Sequence, residues 1–249
     1  MPVKSNLRVL VMCLTYEVQK PLKAIEHYRP DKIYMLAMTK SKAYQEFKKE
    51  IEFHIPQTID YTVVETTVYK FQDSLKEVLS ILRKERLEGN VTFVDITGPP
   101  AFSAAAMVGC MMENAQPFFC GTIDYLIPPE AYFKDGKPIG ISTAVHEPFE
   151  LPTFNIERPE DELVKGLRVW NDIKKQAGLT TDTRVIKAMA GEGLLLDVFD
   201  DRNHVTQNAK MKYRRRFLDK WLGRGWLAPL TRGKYELTEA GAVALKVFE

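Results

Sequence analysis

A dense run of cations lies near the end of the 249-residue chain and has the chemistry of a phosphate-binding surface. Between Arg202 and Lys234, ten Lys or Arg residues accompany a single acid, Asp219. Because aromatic and aliphatic residues are interleaved with these charges, the run is amphipathic and is predicted to form a folded helix rather than a loose tail. The formal net charge of the whole chain is only +2, so the basic character is local. A basic helix anchored to a core is typical of proteins that bind nucleic acid.

A second chemical signal begins at Asp95, where an apolar strand is followed by Ile-Thr-Gly-Pro-Pro-Ala-Phe-Ser and then by small helical residues. Such strand-to-helix turns bind anions in α/β domains, because the first N–H groups of the helix are unpaired and lie at its positive end. Pro100 suits the first helical position, which leaves the N–H groups of Ala101, Phe102 and Ser103 free. Neither GxGxxG nor a Walker lysine is present, so the residues alone predict a general anion or nucleotide crevice.

Several other chemistries are disfavoured by the sequence. Cys13, Cys110 and Cys120 are odd in number, lie in apolar segments and lack CxxC spacing, so buried free thiols are expected rather than disulfides or a zinc site. The four histidines are scattered and form no HExxH motif. We therefore predict no catalytic residues, no metal and no cofactor. No apolar run approaches the roughly 18 residues of a membrane span, and no signal peptide is evident, which predicts a cytoplasmic protein with no membrane partner.

The crevice is expected to be positioned by an α/β domain over residues 1–147. Continuous apolar strands alternate with amphipathic helices, which predicts a Rossmann-like, mostly parallel sheet covered on both faces. The predicted strands are Leu7–Leu14, Lys32–Met38, Tyr61–Tyr69, Val91–Ile96 and Pro117–Ile123. The predicted helices are Val18–Tyr28, Ser41–His54, Gln72–Leu87 and one that starts near Pro100. A hairpin over Ala131–Val145, with Asp135 and Gly136 at its turn, completes the domain.

Residues 148–180 are rich in proline at first and then carry a predicted connecting helix. Its apolar stripe of Leu163, Leu167, Trp170 and Ile173, which ends at Gly178, fits packing within one chain and a dimer seam equally well. Residues 181–249 form a small α+β domain. Its predicted elements are helices over Thr183–Ala190, Leu194–Phe199 and about Thr206–Gly223, a hairpin within Trp226–Leu237, and a helix over Glu239–Phe248. This order predicts a winged helix-turn-helix.

Helical phasing separates the basic helix into two faces. Tyr213, Phe217 and Trp221 fall on one side and the basic residues on the other, as expected of a helix that enters a major groove. A protein-binding winged helix and a solvated, salt-bridged surface are the alternatives. The second needs acids, which the single Asp219 does not supply. The predicted contacts to double-stranded DNA are Thr206, Gln207, Asn208, Lys210, Lys212, Arg215, Arg216, Arg232 and Lys234.

Asp-Ile-Thr-Gly after the fourth strand, together with a C-terminal winged helix, resembles the CRISPR-associated Rossmann fold (CARF) family of transcriptional regulators. The resemblance covers nearly the whole chain by architecture and two loops by residues. It implies a homodimer that binds a cyclic oligoadenylate, cyclic tetra-adenylate above all, in the crevice between the two Rossmann domains. Tyr16 or Phe102 would stack on adenine, and Thr15, Thr97 and Ser103 would bind phosphate or ribose. The implied ligand contacts are Thr15, Tyr16, Glu17, Thr97, Gly98, Pro99, Pro100, Ala101, Phe102 and Ser103.

The expected function is thus a ligand-responsive transcriptional regulator. Two rival hypotheses remain. One is a cyclic-oligoadenylate ring nuclease, or another nucleotide-processing enzyme, whose winged helix serves assembly; the family's usual turn lysine is absent here, which disfavours it. The other is a constitutive DNA-binding protein whose Rossmann domain only dimerises.

Overall fold

Two compact units, Met1–Glu157 and Arg158–Glu249, make up the chain in the computed structural model. The structure describes residues 6–38, 42–125, 132–153, 157–177, 181–231 and 233–248. Within these ranges, no helix combines the length and the apolar character that crossing a membrane requires.

Strands and helices alternate through most of the first unit. The alternating elements are β1 (Arg8–Cys13), α1 (Gln19–Tyr28), β2 (Lys32–Ala37), α2 (Lys42–His54), β3 (Asp60–Glu65), α3 (Phe71–Leu87), β4 (Val91–Asp95), α4 (Pro100–Glu113) and β5 (Gln116–Phe119). Five short strands follow: β6 (Thr122–Tyr125), β7 (Tyr132–Lys134), β8 (Lys137–Gly140), β9 (Ser142–Val145) and β10 (Phe149–Glu150).

The main sheet has six strands in the order β10-β5-β4-β1-β2-β3. All neighbouring pairs are parallel except β10 with β5, which confirms the predicted mostly parallel sheet. Successive residues of β1 lie in two different cores, with Leu10 and Met12 on one side and Val9 and Val11 on the other. All four side chains are fully buried, because helices cover both faces of the sheet. The continuous apolar run at β1 is therefore explained by burial on both faces of the sheet, as predicted.

Two predicted strands differ from the structure in extent. β3 ends at Glu65 rather than Tyr69, because its partner β2 ends at Ala37, which is the last residue paired with β3. The predicted strand Pro117–Ile123 is two strands: β5 stays in the main sheet, whereas β6 leaves it and pairs with β9. The predicted hairpin is confirmed for β7 and β8, but β9 pairs with β6, and Ala131 lies outside the described residues.

Helices dominate the second unit. Its elements are α5 (Asp161–Ala177), α6 (Asp182–Gly191), α7 (Gln207–Tyr213), a π-helical segment (Arg214–Leu218), α8 (Asp219–Gly223), β11 (Leu227–Thr231), β12 (Lys234–Leu237) and α9 (Glu239–Val247). The antiparallel pair β11–β12 confirms the predicted hairpin. The predicted tip residue Arg232 lies outside the described residues.

The apolar stripe of α5 packs inside the second unit. Leu163, Leu167 and Trp170 are at most 1% exposed and belong to the same core as Trp221. The indole Nε1 of Trp221 donates a hydrogen bond of 3.0 Å to the carbonyl oxygen of Leu163. Of the two uses left open for this stripe, packing within one chain is therefore the observed one. The predicted end of the helix at Gly178 lies outside the described residues.

The predicted helix over Leu194–Phe199 does not form. Gly193 and Asp197 have positive φ values of 71° and 55°, a left-handed conformation that interrupts a right-handed helix. The segment still buries Leu195 and Val198, so its apolar residues serve the core from an irregular backbone. It closes where the N–H of Thr206 donates to the carbonyl oxygen of Val198 at 3.0 Å.

The long basic helix forms over the predicted range, with one departure from α-helical geometry. The Asp219 N–H bonds to the carbonyl oxygen of Arg214, five residues back, as in a π-helix. Tyr213, Phe217 and Trp221 are buried, which confirms the predicted apolar face. The apolar side chains therefore keep their core contacts across the π-helical segment.

Candidate functional site

The two loops predicted to bind a ligand meet at one edge of the main sheet. They follow β1 and β4, which are parallel neighbours with Arg8 opposite Val91 and Val11 opposite Val94. The strand order runs outwards in opposite directions from this pair, so the loops lie at the topological switch point. Ligands of open α/β sheets bind in the crevice beyond the carboxyl ends of the strands at such points.

Glu17, in the loop after β1, is held by contacts within the protein. Its carboxylate accepts hydrogen bonds from Ser142 N at 3.1 Å and from Ser142 Oγ at 2.8 Å. Its Oε1 also lies 3.6 Å from Lys20 Nζ. Glu17 therefore joins the loop after β1 to β9, and a direct role in ligand binding would require these contacts to change.

Tyr16 belongs to an aromatic cluster in the first unit. The centre of its ring lies 4.7 Å from that of Tyr44, 5.5 Å from that of Phe47 and 5.3 Å from that of Tyr132. Tyr16 is half-buried, as is the neighbouring Thr15. Because part of the ring remains accessible, stacking of Tyr16 on a base stays a prediction.

Internal hydrogen bonds shape the turn after β4. The Thr97 N–H donates to Asp95 Oδ1 at 2.8 Å, and Thr97 Oγ1 accepts from the Cys120 N–H at 3.0 Å. Burial raises the pKa of Asp95, while the bonds from Thr97 and the charge of Lys20 act in the opposite direction. The polar atoms of Asp95 and Thr97 thus hold the turn in place.

The start of α4 leaves fewer free groups than the sequence predicts. The Ser103 N–H donates to the Pro99 carbonyl oxygen at 2.9 Å, and Ser103 Oγ donates to the Gly98 carbonyl oxygen at 2.8 Å. The Ser103 N–H is therefore not free, which corrects the prediction. The N–H groups of Ala101 and Phe102 remain, because the first turn of a helix contains no acceptor for them.

Phe102 is a core residue and not a stacking surface. Its side chain is 0% exposed, which corrects the expectation that it stacks on an adenine. A Cβ added to Gly98 would lie 2.8 Å from Phe102 Cδ1 and 3.2 Å from the Cβ of Cys13. Glycine at position 98 is therefore explained by close packing. Cys13, Cys110 and Cys120 are buried and free, as predicted, and burial raises the pKa of each thiol.

Lys20 is a cation near these loops that belongs to none of the sequence motifs. Its side chain is 16% exposed and pairs with Glu17. Burial raises the pKa of Asp95, and the charge of Lys20 reduces that rise. Lys20 is the second residue of α1, three positions after Glu17. That spacing places the two side chains on one face of a helical turn, so their pairing was readable from the sequence.

The basic helix begins with a side-chain cap. Thr206 Oγ1 accepts a hydrogen bond from the Ala209 N–H at 3.1 Å, which occupies the hydroxyl group of a predicted DNA contact. Gln207, Asn208 and Lys210 are exposed along the first turn. This end of α7 therefore presents amide and ammonium groups to solvent.

Three cations of the basic run are paired. Arg216 Nη2 lies 2.6 Å from Glu162 Oε2, and Lys220 Nζ lies 2.7 Å from Glu160 Oε1. Arg214 pairs with Asp219 at 3.5 Å. The prediction that acids are too few for a salt-bridged surface is wrong for this part of the surface, because Glu162 in the first turn of α5 and Glu160 just before it supply two more.

Four predicted DNA contacts keep their charge unpaired. Within the ranges that the structure describes, no acid forms an ion pair with Lys210, Lys212, Arg215 or Lys234. Lys212 is half-buried and the other three are exposed. They are the cations that remain available for phosphate groups.

Comparison with known proteins gives one family match. Residues 8–132, about half of the chain, match the model of the family described as HFX_2341_N:-like, N-terminal. A search of curated proteins gives no match.

Three solved structures are similar over much of the chain. Can2 from Sulfobacillus thermosulfidooxidans, in complex with cyclic tetra-adenylate, has a TM-score of 0.39 and 14% identity, over 96% of this chain and 63% of its own. Protein VC1899 from Vibrio cholerae has a TM-score of 0.38 and 11% identity, over 96% and 64%. A type III CRISPR defence DNA nuclease activated by cyclic oligoadenylate has a TM-score of 0.37 and 12% identity, over 77% and 32%. The chain thus spans less than two thirds of these proteins, and the fold described above rests on its own strands and helices.

Proposed function

The chain belongs to the HFX_2341_N:-like, N-terminal family, and we propose that it is a dimeric, ligand-responsive DNA-binding transcriptional regulator. In this proposal the second unit is a cytoplasmic winged helix-turn-helix that binds double-stranded DNA. The first unit is a CARF-like sensor whose ligand is a cyclic oligoadenylate. The observation that carries the proposal is the basic face of the helix formed by α7, the π-helical segment and α8, on which Lys210, Lys212 and Arg215 are free of ion pairs within the described residues, followed by a two-stranded hairpin.

The chemistry of that face suits a duplex. Lys210, Lys212 and Arg215 supply unpaired positive charge, and phosphate contacts by such residues provide most of the affinity for DNA. Gln207 and Asn208 have amide side chains that can bind adenine edges in the major groove. The buried residues of the same helix fix the orientation of these groups.

The hairpin β11–β12 is the proposed wing. Lys234 is exposed at the start of β12, and Arg232, outside the described residues, precedes it by two positions in the sequence. In winged helices such residues contact the DNA backbone beside the groove that the recognition helix occupies. We therefore propose the basic helix as the reader of DNA and the hairpin as its lateral support.

The switch-point crevice is the proposed site for cyclic tetra-adenylate. The N–H groups of Ala101 and Phe102 supply donors at the positive end of α4, and Lys20 supplies a cation at the start of α1. Tyr16 and Thr15 are half-buried beside that cation and remain accessible. Ligand contacts by Thr15, Tyr16, Glu17 and the 97–103 turn are part of the proposal.

A homodimer is proposed from the surface of α4. This helix is apolar over most of its length, yet Met107, Val108 and Met111 are only half-buried and Ala104 is exposed. A second copy could cover these side chains, which would gain free energy from burying apolar area. Two basic helices in one dimer would then contact half-sites about 34 Å apart or a multiple of that distance.

The decisive experiment measures binding of a fluorescein-labelled duplex with and without cyclic tetra-adenylate over a range of salt concentrations. We expect affinity to fall steeply as salt rises, and to change when cyclic tetra-adenylate is added. An affinity for the duplex that does not change with salt concentration contradicts the DNA proposal. Linear adenylate products found after incubation would favour the ring-nuclease alternative, whereas DNA binding that ignores the ligand would favour a constitutive DNA-binding protein.

A further inference from the structure

Two acids lie against the basic helix: Glu162, in the first turn of α5, and Glu160, the residue before α5. Arg216 and Glu162 form a hydrogen-bonded ion pair of 2.6 Å, and Lys220 and Glu160 form one of 2.7 Å. Both cations point back to α5 rather than outwards. The two pairs lie one helical turn apart on the basic helix, so they form a short ladder along one side of it.

The ladder divides the positive surface into two parts. The free part contains Lys210, Lys212 and Arg215, and the part paired with the two acids contains Arg216 and Lys220. Arg214, which lies between the free residues in sequence, pairs with Asp219 of the same helix. The negative charge of Glu160 and Glu162 therefore offsets Arg216 and Lys220, and it leaves the free cations that lie nearer the amino end of the helix. A duplex approaching the helix meets a positive surface that is shorter than the sequence indicates.

These ion pairs are open to solvent. The side chains of Arg216 and Glu162 are 50% and 58% exposed, and those of Lys220 and Glu160 are 42% and 57% exposed. The hydrogen bond from Lys220 lowers the pKa of Glu160, so this acid carries its charge at neutral pH. Exposed pairs contribute little to the stability of a fold, which favours a role in modulating charge over a role in folding.

We propose that Glu160 and Glu162 act as internal substitutes for DNA phosphates: they occupy Lys220 and Arg216 and so weaken DNA binding and confine it to the amino-terminal half of the basic helix. The inference rests on the proposed DNA-binding function. It assigns the affinity of the protein for DNA in part to two acids that contact no DNA. Because the acids lie within five residues of the start of the second unit at Arg158, they follow closely on the segment that joins the two units.

The test replaces both acids, as Glu160→Gln with Glu162→Gln, in the full-length chain. Binding to a fluorescein-labelled duplex of arbitrary sequence, about three helical turns long, is measured by anisotropy at several salt concentrations. Each cation released to a phosphate should steepen the slope of log K against log salt by about 0.9. We expect the double variant to bind on the order of tenfold more tightly than the wild-type protein in about 0.1 M salt.

A double-mutant cycle separates this effect from a general loss of negative charge. Glu192→Gln removes one exposed acid from the same unit and should leave affinity nearly unchanged. Arg216→Gln should have little effect on binding by the wild-type protein and a several-fold effect in the Glu162→Gln background. Thermal unfolding of each variant verifies that it is folded.

The outcomes are distinct. Affinity of the double variant equal to that of the wild type overturns the inference, as does a gain that Glu192→Gln reproduces or that persists when Arg216 and Lys220 are also replaced by Gln. If the wild type binds DNA and Lys212→Glu with Arg215→Glu abolishes binding, the proposed function stands whatever the acids do. If neither the wild type nor the acid variants bind the duplex, the proposed function and the inference both fail.

Discussion

The switch-point edge of the first unit and the basic face of the second treat their polar side chains in opposite ways. At the sheet edge, neighbouring protein groups engage the side chains of Glu17, Asp95 and Thr97, which leaves backbone N–H groups at the start of α4 as free donors. On the basic face, Lys210 and Arg215 extend into solvent without an ion-pair partner among the described acids. The first arrangement fixes the shape of a turn, whereas the second leaves positive charge exposed to solvent.

The ion pairs of the two units show the same contrast. Glu85 is fully buried and accepts hydrogen bonds from Lys32 Nζ at 2.9 Å and Asn90 Nδ2 at 2.6 Å, with Tyr34 as a third donor. The pair of Arg216 and Glu162 is about half exposed. Removing one partner of a buried ion pair lowers the free energy of unfolding strongly, whereas removing one partner of a solvent-screened pair lowers it little. An ion pair of glutamate with a cation thus stabilises the fold in the first unit, whereas in the second unit it is exposed and contributes little to stability.

Glu85→Gln is expected to have the largest effect on stability. It leaves Lys32 without its buried carboxylate and should lower the free energy of unfolding by about 3 kcal/mol. Glu162→Gln should lower it by less than about 1 kcal/mol. Urea unfolding of both variants measures the difference, and Lys32→Met added to Glu85→Gln should recover part of the loss. Equal effects of the two Glu replacements would remove the contrast between buried and exposed pairs.

The same carboxylate gives stability a defined pH dependence. Burial by itself would raise the pKa of Glu85, but the hydrogen bonds from Tyr34, Lys32 and Asn90 together outweigh it and lower the pKa from its usual 4.5. Its contribution is therefore present above the unfolded-state pKa and is lost as pH falls through the lowered folded-state value. Unfolding measured from neutral to acidic pH should show a shallower loss of stability below about 4.5 for Glu85→Gln than for the wild type.

Charge reversal on the free part of the basic face should give the largest effect on binding. Lys212→Glu with Arg215→Glu removes two phosphate contacts and adds repulsion, so DNA affinity should fall on the order of 100-fold. Lys165→Glu, an exposed reversal on α5, is the matched control. Anisotropy titrations at fixed salt provide the comparison. A loss as large in the control would mean that total charge, rather than this face, determines binding.

Replacement of Lys20 tests the crevice. Lys20→Met removes the cation beside Glu17 and should weaken binding of cyclic tetra-adenylate roughly tenfold, since a charged hydrogen bond is lost. Lys23→Met is the control, because Lys23 lies on the same helix and pairs with Glu147 instead. Calorimetric titration measures both affinities. Unchanged binding by the Lys20 variant would place the ligand elsewhere.

Thr206→Ala should have a small effect on stability. Loss of the cap to the Ala209 N–H should destabilise the second unit by about 1 kcal/mol. Thr206→Ser keeps an acceptor oxygen and should retain most of the stability. If thermal unfolding shows the Ala and Ser variants to be alike, the hydroxyl group does not act as a cap.

The sequence predicted most helices and strands because their signals are local. The apolar run at β1, the Asp135–Gly136 turn and the phase of Tyr213, Phe217 and Trp221 depend on neighbouring residues alone. It failed over Leu194–Phe199, where apolar spacing resembled a helix but the backbone at Gly193 is left-handed.

Of the candidate sites, the sequence by itself determined which segments carry donors and charge: the turn after β4, the loop after β1 and the basic helix. Only the tertiary structure decided which groups remain available. Packing buried Phe102, the start of α4 engaged the Ser103 N–H, and α5 brought Glu162 to Arg216 across 54 positions of sequence. Burial and charge pairing depend on residues that are distant along the chain, so neither can be read from local composition or periodicity.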